Sequence, residues 1–134
     1  MMQILQPPGW AKPRGFSNGI AVKGGTTVFI AGQIGVNSQG MFEEKTFAGQ
    51  FRQVLKNTLA VLAEAGGKPE HIVRMTWYVT DKREYLGAIK EVGAAYRELI
   101  GRHYPAMAVV QVVALVEDEA KLEIETTAVI PERS

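Results

Sequence analysis

No cysteine occurs in the chain. That one absence removes disulfides, thiolate zinc sites and cysteine nucleophiles together. Histidine is nearly as scarce. His71 and His103 have no metal-ligand partner at useful spacing, so no metal centre is expected. No uninterrupted apolar run approaches the roughly 18–20 residues that span a bilayer. Met1–Gly9 lacks the basic start and apolar middle of a secretory leader. Charge of one sign is missing as well: 15 Lys and Arg face 14 Asp and Glu, for a net charge of +1 with both signs interspersed. No basic stripe laced with aromatics gives nucleic acid or a membrane surface a footing. No glycine-rich loop has phosphate-cradle spacing and no Ser-His-Asp pattern is supported, so no cofactor and no serine-type catalysis are expected. What remains is a chain of 134 residues, 46% hydrophobic and 22% charged. The expectation is one cytoplasmic domain over 1–134 with a real core.

Residues 1–14 hold three of the prolines and Trp10, and read as an extended lead-in. Gly15–Gly19 is turn-rich. Ile20–Lys23 and Thr27–Ile34 are β-prone, and Gly24-Gly25 between them signals a hairpin. From Thr46 the period changes. Phe47, Phe51, Val54, Leu55, Thr58, Val61, Leu62 and Ala65 recur at three- and four-residue steps, predicting a helix of some five turns. Thr46 would cap its start, and Gly66-Gly67 its end. Ile72–Val79 is the next strand. Asp81 with Glu84 resembles a capping box that opens a second helix, with Leu86, Ile89, Val92, Tyr96 and Leu99 on one face and Gly101 at its stop.

The last third reads as two strands, Ala108–Leu115 and Lys121–Glu125, joined as a hairpin by the acidic turn Val116–Ala120. That hairpin would set Glu123 near the corner Pro105–Met107, a carboxylate beside a rigid turn. Ala108–Leu115 is apolar on both alternating faces, whereas a sheet wetted on one side would alternate. The helices can cover one face, so a second copy of the chain is expected on the other, with clefts between subunits. Gln111, amid this apolar strand, would need a hydrogen-bond partner, sought at that interface.

With these segments placed, the chain resembles the Rid family (YjgF or L-PSP proteins, the enamine/imine deaminases) over about residues 14–130. Gly15-Phe16-Ser17-Asn18-Gly19 matches the family's Gly-Pro-Tyr-Ser-Gln-Ala loop, and Ala31-Gly32-Gln33-Ile34 its Ser-Gly-Gln-Ile. Gln53–Asn57, Glu64–Gly67, Val73–Asp81, Pro105-Ala106 and Leu122–Thr126 follow in the family's order. The resemblance implies a chorismate-mutase-like α+β fold: a mixed sheet of about six strands with two helices on one face, in the order βββαβαββ. It also implies a homotrimer with a substrate cleft between adjacent subunits.

By the same resemblance, Glu123 is the carboxylate that activates water. Arg14, Phe16, Ala31, Gly32, Gly93, Met107 and Val109 fall at or beside the substrate-binding positions. Deaminating relatives carry an arginine immediately after Pro-Ala to hold a substrate carboxylate; here that residue is Met107. Each charge-assisted bond so lost is worth about 1.5–3 kcal/mol. Phe16 lacks the hydroxyl of the family's tyrosine, and Gly93 falls where an asparagine often stands. The expected substrate is therefore a bulkier or less polar enamine, such as an aminomuconate-like one. Arg14 is a candidate replacement cation and His103 a candidate neighbour of the pocket. Trp77 and Tyr78 read as core and interface. A metabolite binder without catalysis is the alternative, and RNA cleavage, reported for some of the family, suits the balanced charge poorly.

Overall fold

The first strand, β1 (Met2–Leu5), lies inside the extended lead-in and pairs antiparallel with β2 (Gly19–Val22), Met2 opposite Val22. A computed structural model describes residues 2–132 of the chain. The remaining elements are β3 (Thr26–Gln33), α1 (Phe47–Glu64), a 3₁₀ turn at Pro69–His71 and β4 (Ile72–Val79), then α2 (Lys82–Gly87), α3 (Ile89–Leu99), β5 (Ala106–Gln111) and β6 (Leu122–Ile130). The α+β class is as the sequence implies, and the order βββαβαββ is met with β1 drawn from the lead-in and the second helical run divided into α2 and α3. The six strands divide into the β1-β2 pair and a four-stranded mixed sheet of order β3-β6-β4-β5.

Local chemistry sets α1. Thr46 Oγ1 accepts from the Gly49 N–H at 3.0 Å, filling one of the donors a helix start leaves open. Gly66, at φ 80°, turns the chain out of the helix where a side chain would be strained. Its stripe Phe47, Phe51, Val54, Leu55, Thr58 and Leu62 is buried against the sheet, while Val61 at the stripe's margin is exposed. The second helical run breaks at Gly87-Ala88 into α2 and α3, and Leu86 and Ile89 are left exposed beside the break. Asp81 caps α2 through the Arg83 N–H at 2.9 Å. Glu84 does not complete a capping box; its carboxylate pairs with Lys121 Nζ at 2.8 Å. A core of Phe51, Leu55, Met75, Trp77, Leu122 and Ile124 fills the space between helices and sheet.

Two pairings differ from the sequence reading. Gly24 and Gly25 do turn the chain, at φ 72° and 86°, but the strands they join part company, β2 to β1 and β3 to β6. The hairpin across Val116–Ala120 does not form either. β4 lies between β5 and β6, parallel to one and antiparallel to the other. The cause is the crossover: a β-α-β connection lays β5 against β4 in parallel, so only the other edge of β4 is open to β6. The strand also ends at Gln111, and the Gln111 side chain finds its partner within the chain, accepting from the Lys82 N–H at 2.8 Å at the start of α2.

Candidate functional site

The registers sort the candidate residues by face. Paired residues on neighbouring strands point to the same side of a sheet, and successive ones alternate. Met107 pairs with Met75 and Val109 with Trp77, both in the core; Glu123 pairs with Tyr78. Positions 75 and 77 on β4 point one way and 78 the other. Met107 and Val109 therefore face the helices, and Glu123 faces away from them. Within one chain the carboxylate and the Pro105 corner do not meet as the hairpin would have had them.

On the helix side is a cleft of about 600 Å³ between α3, β5 and the Gly15 loop, walled by Phe16, Trp77, Tyr85, Tyr96, Tyr104 and Met107 among others. Arg14, Gly93 and Val109 line it too, so five of the candidate substrate residues gather there. The loop is held in place by Ser17, whose N–H donates to the Pro105 carbonyl at 3.0 Å and whose hydroxyl donates to the Tyr104 carbonyl at 2.5 Å. Tyr96 and Tyr104 stack with ring planes 7° apart, and the Tyr96 hydroxyl donates to the His103 carbonyl at 2.6 Å. Burial pushes the Tyr96 and Tyr85 phenols up, so both stay protonated. Trp77 Nε1 is buried without an acceptor among the described residues. His103 is bound by its Nε2 to the Ile72 carbonyl at 2.5 Å, and His71 Nδ1 accepts from the Lys68 N–H at 3.0 Å; each is tied to backbone rather than offered to a ligand.

On the other face, β3 carries a bulge. Ile30 pairs with Thr126 and Gln33 with Ile124, so Ala31 and Gly32 together oppose a single residue of β6. Glu123 lies directly over Gly32: a Cβ built there would overlap Glu123 Oε2 and sit 2.8 Å from its Cδ. The bulge and the missing side chain together make the seat for the carboxylate. Glu125, on the same face, accepts from the Tyr78 hydroxyl at 2.7 Å, and that bond raises the phenol's pKa. Two side chains of α1 that had no role assigned from the sequence anchor the chain at the ends of the neighbouring strands. Gln50, buried on α1, accepts from the Lys121 N–H at 2.9 Å and donates to the Glu119 carbonyl at 3.0 Å, fixing where β6 begins. Asn57 donates to the carbonyls of Ile34 and Val36, just past the bulge.

The seat predicts a separable effect. Gly32 is exposed and its backbone is not left-handed, so alanine fits the chain there and only the Glu123 side chain must move. Gly32→Ala is expected to shift stability by no more than about 0.5 kcal/mol, as surface changes usually do, while displacing the carboxylate and lowering any turnover it supports at least tenfold. Thermal melting alongside kinetics checks this. A protein that unfolds, or one that works normally, would contradict the seat.

Met107 and Phe16 also line a second hollow of about 290 Å³ with Arg74, Ala106 and Ala108, around the edge of β5 toward the Glu123 side of the sheet. Among the described residues nothing covers that face: Phe29 is 80% exposed and Val110 40%.

Comparison with known proteins bears on what such a site does. The family described as Endoribonuclease L-PSP matches residues 11–130. The RutC family protein PH0854 of Pyrococcus horikoshii is 33% identical over 109 residues, covering 81% of this chain and 82% of its own. TdcF of Escherichia coli, a candidate reactive intermediate deaminase, is 36% identical over 108 residues, covering 78% and 80%. Among solved structures, the Rid-family protein YyfB of Yersinia pestis superposes with a TM-score of 0.83 at 33% identity, covering 96% of this chain and 98% of its own. The E. coli TdcF structure with bound serine gives 0.68 at 32% identity, covering 96% and 99%.

Proposed function

This chain belongs to the Endoribonuclease L-PSP family, the Rid or YjgF proteins, and on that premise we propose that it hydrolyses a small enamine or imine in clefts between the subunits of a cytoplasmic homotrimer. The observation that carries this is the division of the candidate site between two faces of one sheet. Glu123 over Gly32 on one face and the Met107 cleft on the other come together only if one subunit's open face meets another's β5 edge. The exposed Phe29 and Val110 supply apolar surface for such a contact.

In the proposed reaction Glu123 takes a proton from water as the oxygen bonds to the C=N carbon, a general-base role. Glu123 passes that proton to the nitrogen, then takes the hydroxyl proton of the resulting carbinolamine as the C–N bond breaks and the carbonyl forms. The proton held by Glu123 leaves with ammonia, so imine and water are converted to carbonyl compound and ammonia. Backbone groups freed from the ladder at Ala31-Gly32 steady the substrate or the leaving amine.

Met107 sets the specificity. A thioether makes no charge-assisted bond, so 2-aminoacrylate, whose carboxylate adjoins the reacting carbon, is expected to turn over slowly. A longer enamine with a second carboxylate remote from the reacting carbon, such as an aminomuconate-like one, can still be held by a cation elsewhere in the cleft. Ammonia release from enzymatically generated 2-aminoacrylate tests this. Met107→Arg is expected to raise kcat/KM for that substrate about ten- to a hundredfold, the worth of one charged hydrogen bond. Wild-type turnover equal to that of an arginine-bearing relative would overturn the specificity. Ligand binding with no turnover of any imine would favour a metabolite binder instead. The even charge balance lends RNA cleavage no electrostatic support.

A further inference from the structure

Met107 removes one cation from the cleft, but the cleft is not without positive charge. Among the described residues two guanidinium groups line it, Arg14 and Arg97, and no acidic side chain does. Arg97 lies one helical turn after Gly93 on α3. A Cβ built on Gly93 would come within 3.2 Å of Arg97 Nη1 and 3.9 Å of its Cζ and Nη2, so the guanidinium rests over the bare glycine. An alanine at 93 would make it give by a few tenths of an ångström, and a longer side chain would compete for the space it occupies. Among the described residues Arg97 has no ion pair and no side-chain hydrogen bond. Its neighbour Glu98 is engaged elsewhere, by Arg52 on α1 at 2.6 Å. Beneath the two arginines the walls are mostly aromatic and aliphatic.

An unpaired planar cation at the mouth of an apolar cleft fits a ligand with an apolar body and a charged, planar, oxygen-bearing head, for which a guanidinium fork is the matching partner. We propose that Arg97, admitted by Gly93, is the carboxylate-binding cation of this cleft, and that it selects an aromatic or bulky apolar carboxylate. This rests on the cleft being the substrate site proposed above, and it refines the substrate class. Held from the helix wall instead of the strand position 107, the carboxylate is separated from the reacting carbon by the ligand's apolar body.

Trp77 lines the cleft and Trp10 does not, and these are the only two tryptophans. In the full chain carrying Trp10→Phe, fluorescence therefore reports on the cleft wall. Titration with benzoate is expected to change the Trp77 signal saturably, with benzamide, its neutral isostere, binding at least tenfold more weakly. Arg97→Gln should erase that preference by weakening benzoate about tenfold while leaving benzamide unchanged. Gly93→Asn should do the same by displacing the guanidinium. Equal binding of benzoate and benzamide, or a preference that survives Arg97→Gln, would overturn the proposal. So would a larger loss in Arg14→Gln than in Arg97→Gln. Phenyl phosphate binding more tightly than benzoate would overturn the choice of carboxylate. The readout is binding, so the two readings fail separately: carboxylate preference without ammonia release counts against the deaminase alone, and turnover without that preference counts against Arg97 alone.

Discussion

Glu123→Gln is expected to lower ammonia release by a factor of about 10²–10⁴, the usual contribution of a positioned general base, with melting temperature and assembly unchanged. Glutamine has nearly the same shape and fits the same seat over Gly32, so the loss would report chemistry and not packing. The proper control is Glu125→Gln. Glu125 sits two residues along on the same face, but it is exposed and bonded to the Tyr78 hydroxyl. It is expected to cost less than threefold. Equal losses at both positions would mean that the face needs negative charge in general, and the specific role of Glu123 would be abandoned.

Phe29→Glu should have the second large effect. In one chain Phe29 is 80% exposed beside Thr127 and Arg74 on the uncovered side of the sheet. Burying such a ring against a neighbouring copy stabilises the contact by roughly 1.5–3 kcal/mol at each interface. A carboxylate there removes that gain and adds the cost of desolvating a charge. The expected result is a threefold fall in mass by light scattering and loss of turnover, even though Glu123 and the Met107 cleft are untouched. A wild-type protein that is monomeric at micromolar concentration would remove the basis for a shared site, because Glu123 and Met107 point to opposite faces of the same sheet.

Residue identity made part of this legible in advance. Thr46, the apolar stripe behind it and Gly66 delimit α1 because a cap, a 3.6-residue period and a left-handed glycine are local properties, written in neighbouring residues. Ile72–Val79 was legible for the same reason, as a short run of β-branched and aromatic residues. The strand partners were not. Gly24-Gly25 dictates a turn without dictating that the flanking strands pair, and the acidic turn Val116–Ala120 looks like a hairpin loop although β4 lies between the strands on either side. Arg97 was legible only in retrospect, as the side chain four residues after a glycine on one helix face.

By itself, then, the sequence determined where α1 and β4 begin and end, where the glycine turns fall, and the family resemblance. Only the tertiary structure decided that Glu123 lies on Gly32 across the sheet from Met107, and that Arg97 rests over Gly93 at the mouth of the cleft. The physical reason is range. Caps, periods and turn glycines act over a few bonds, whereas strand order and the side of a sheet a residue occupies are set by which distant segments bury each other's apolar surface.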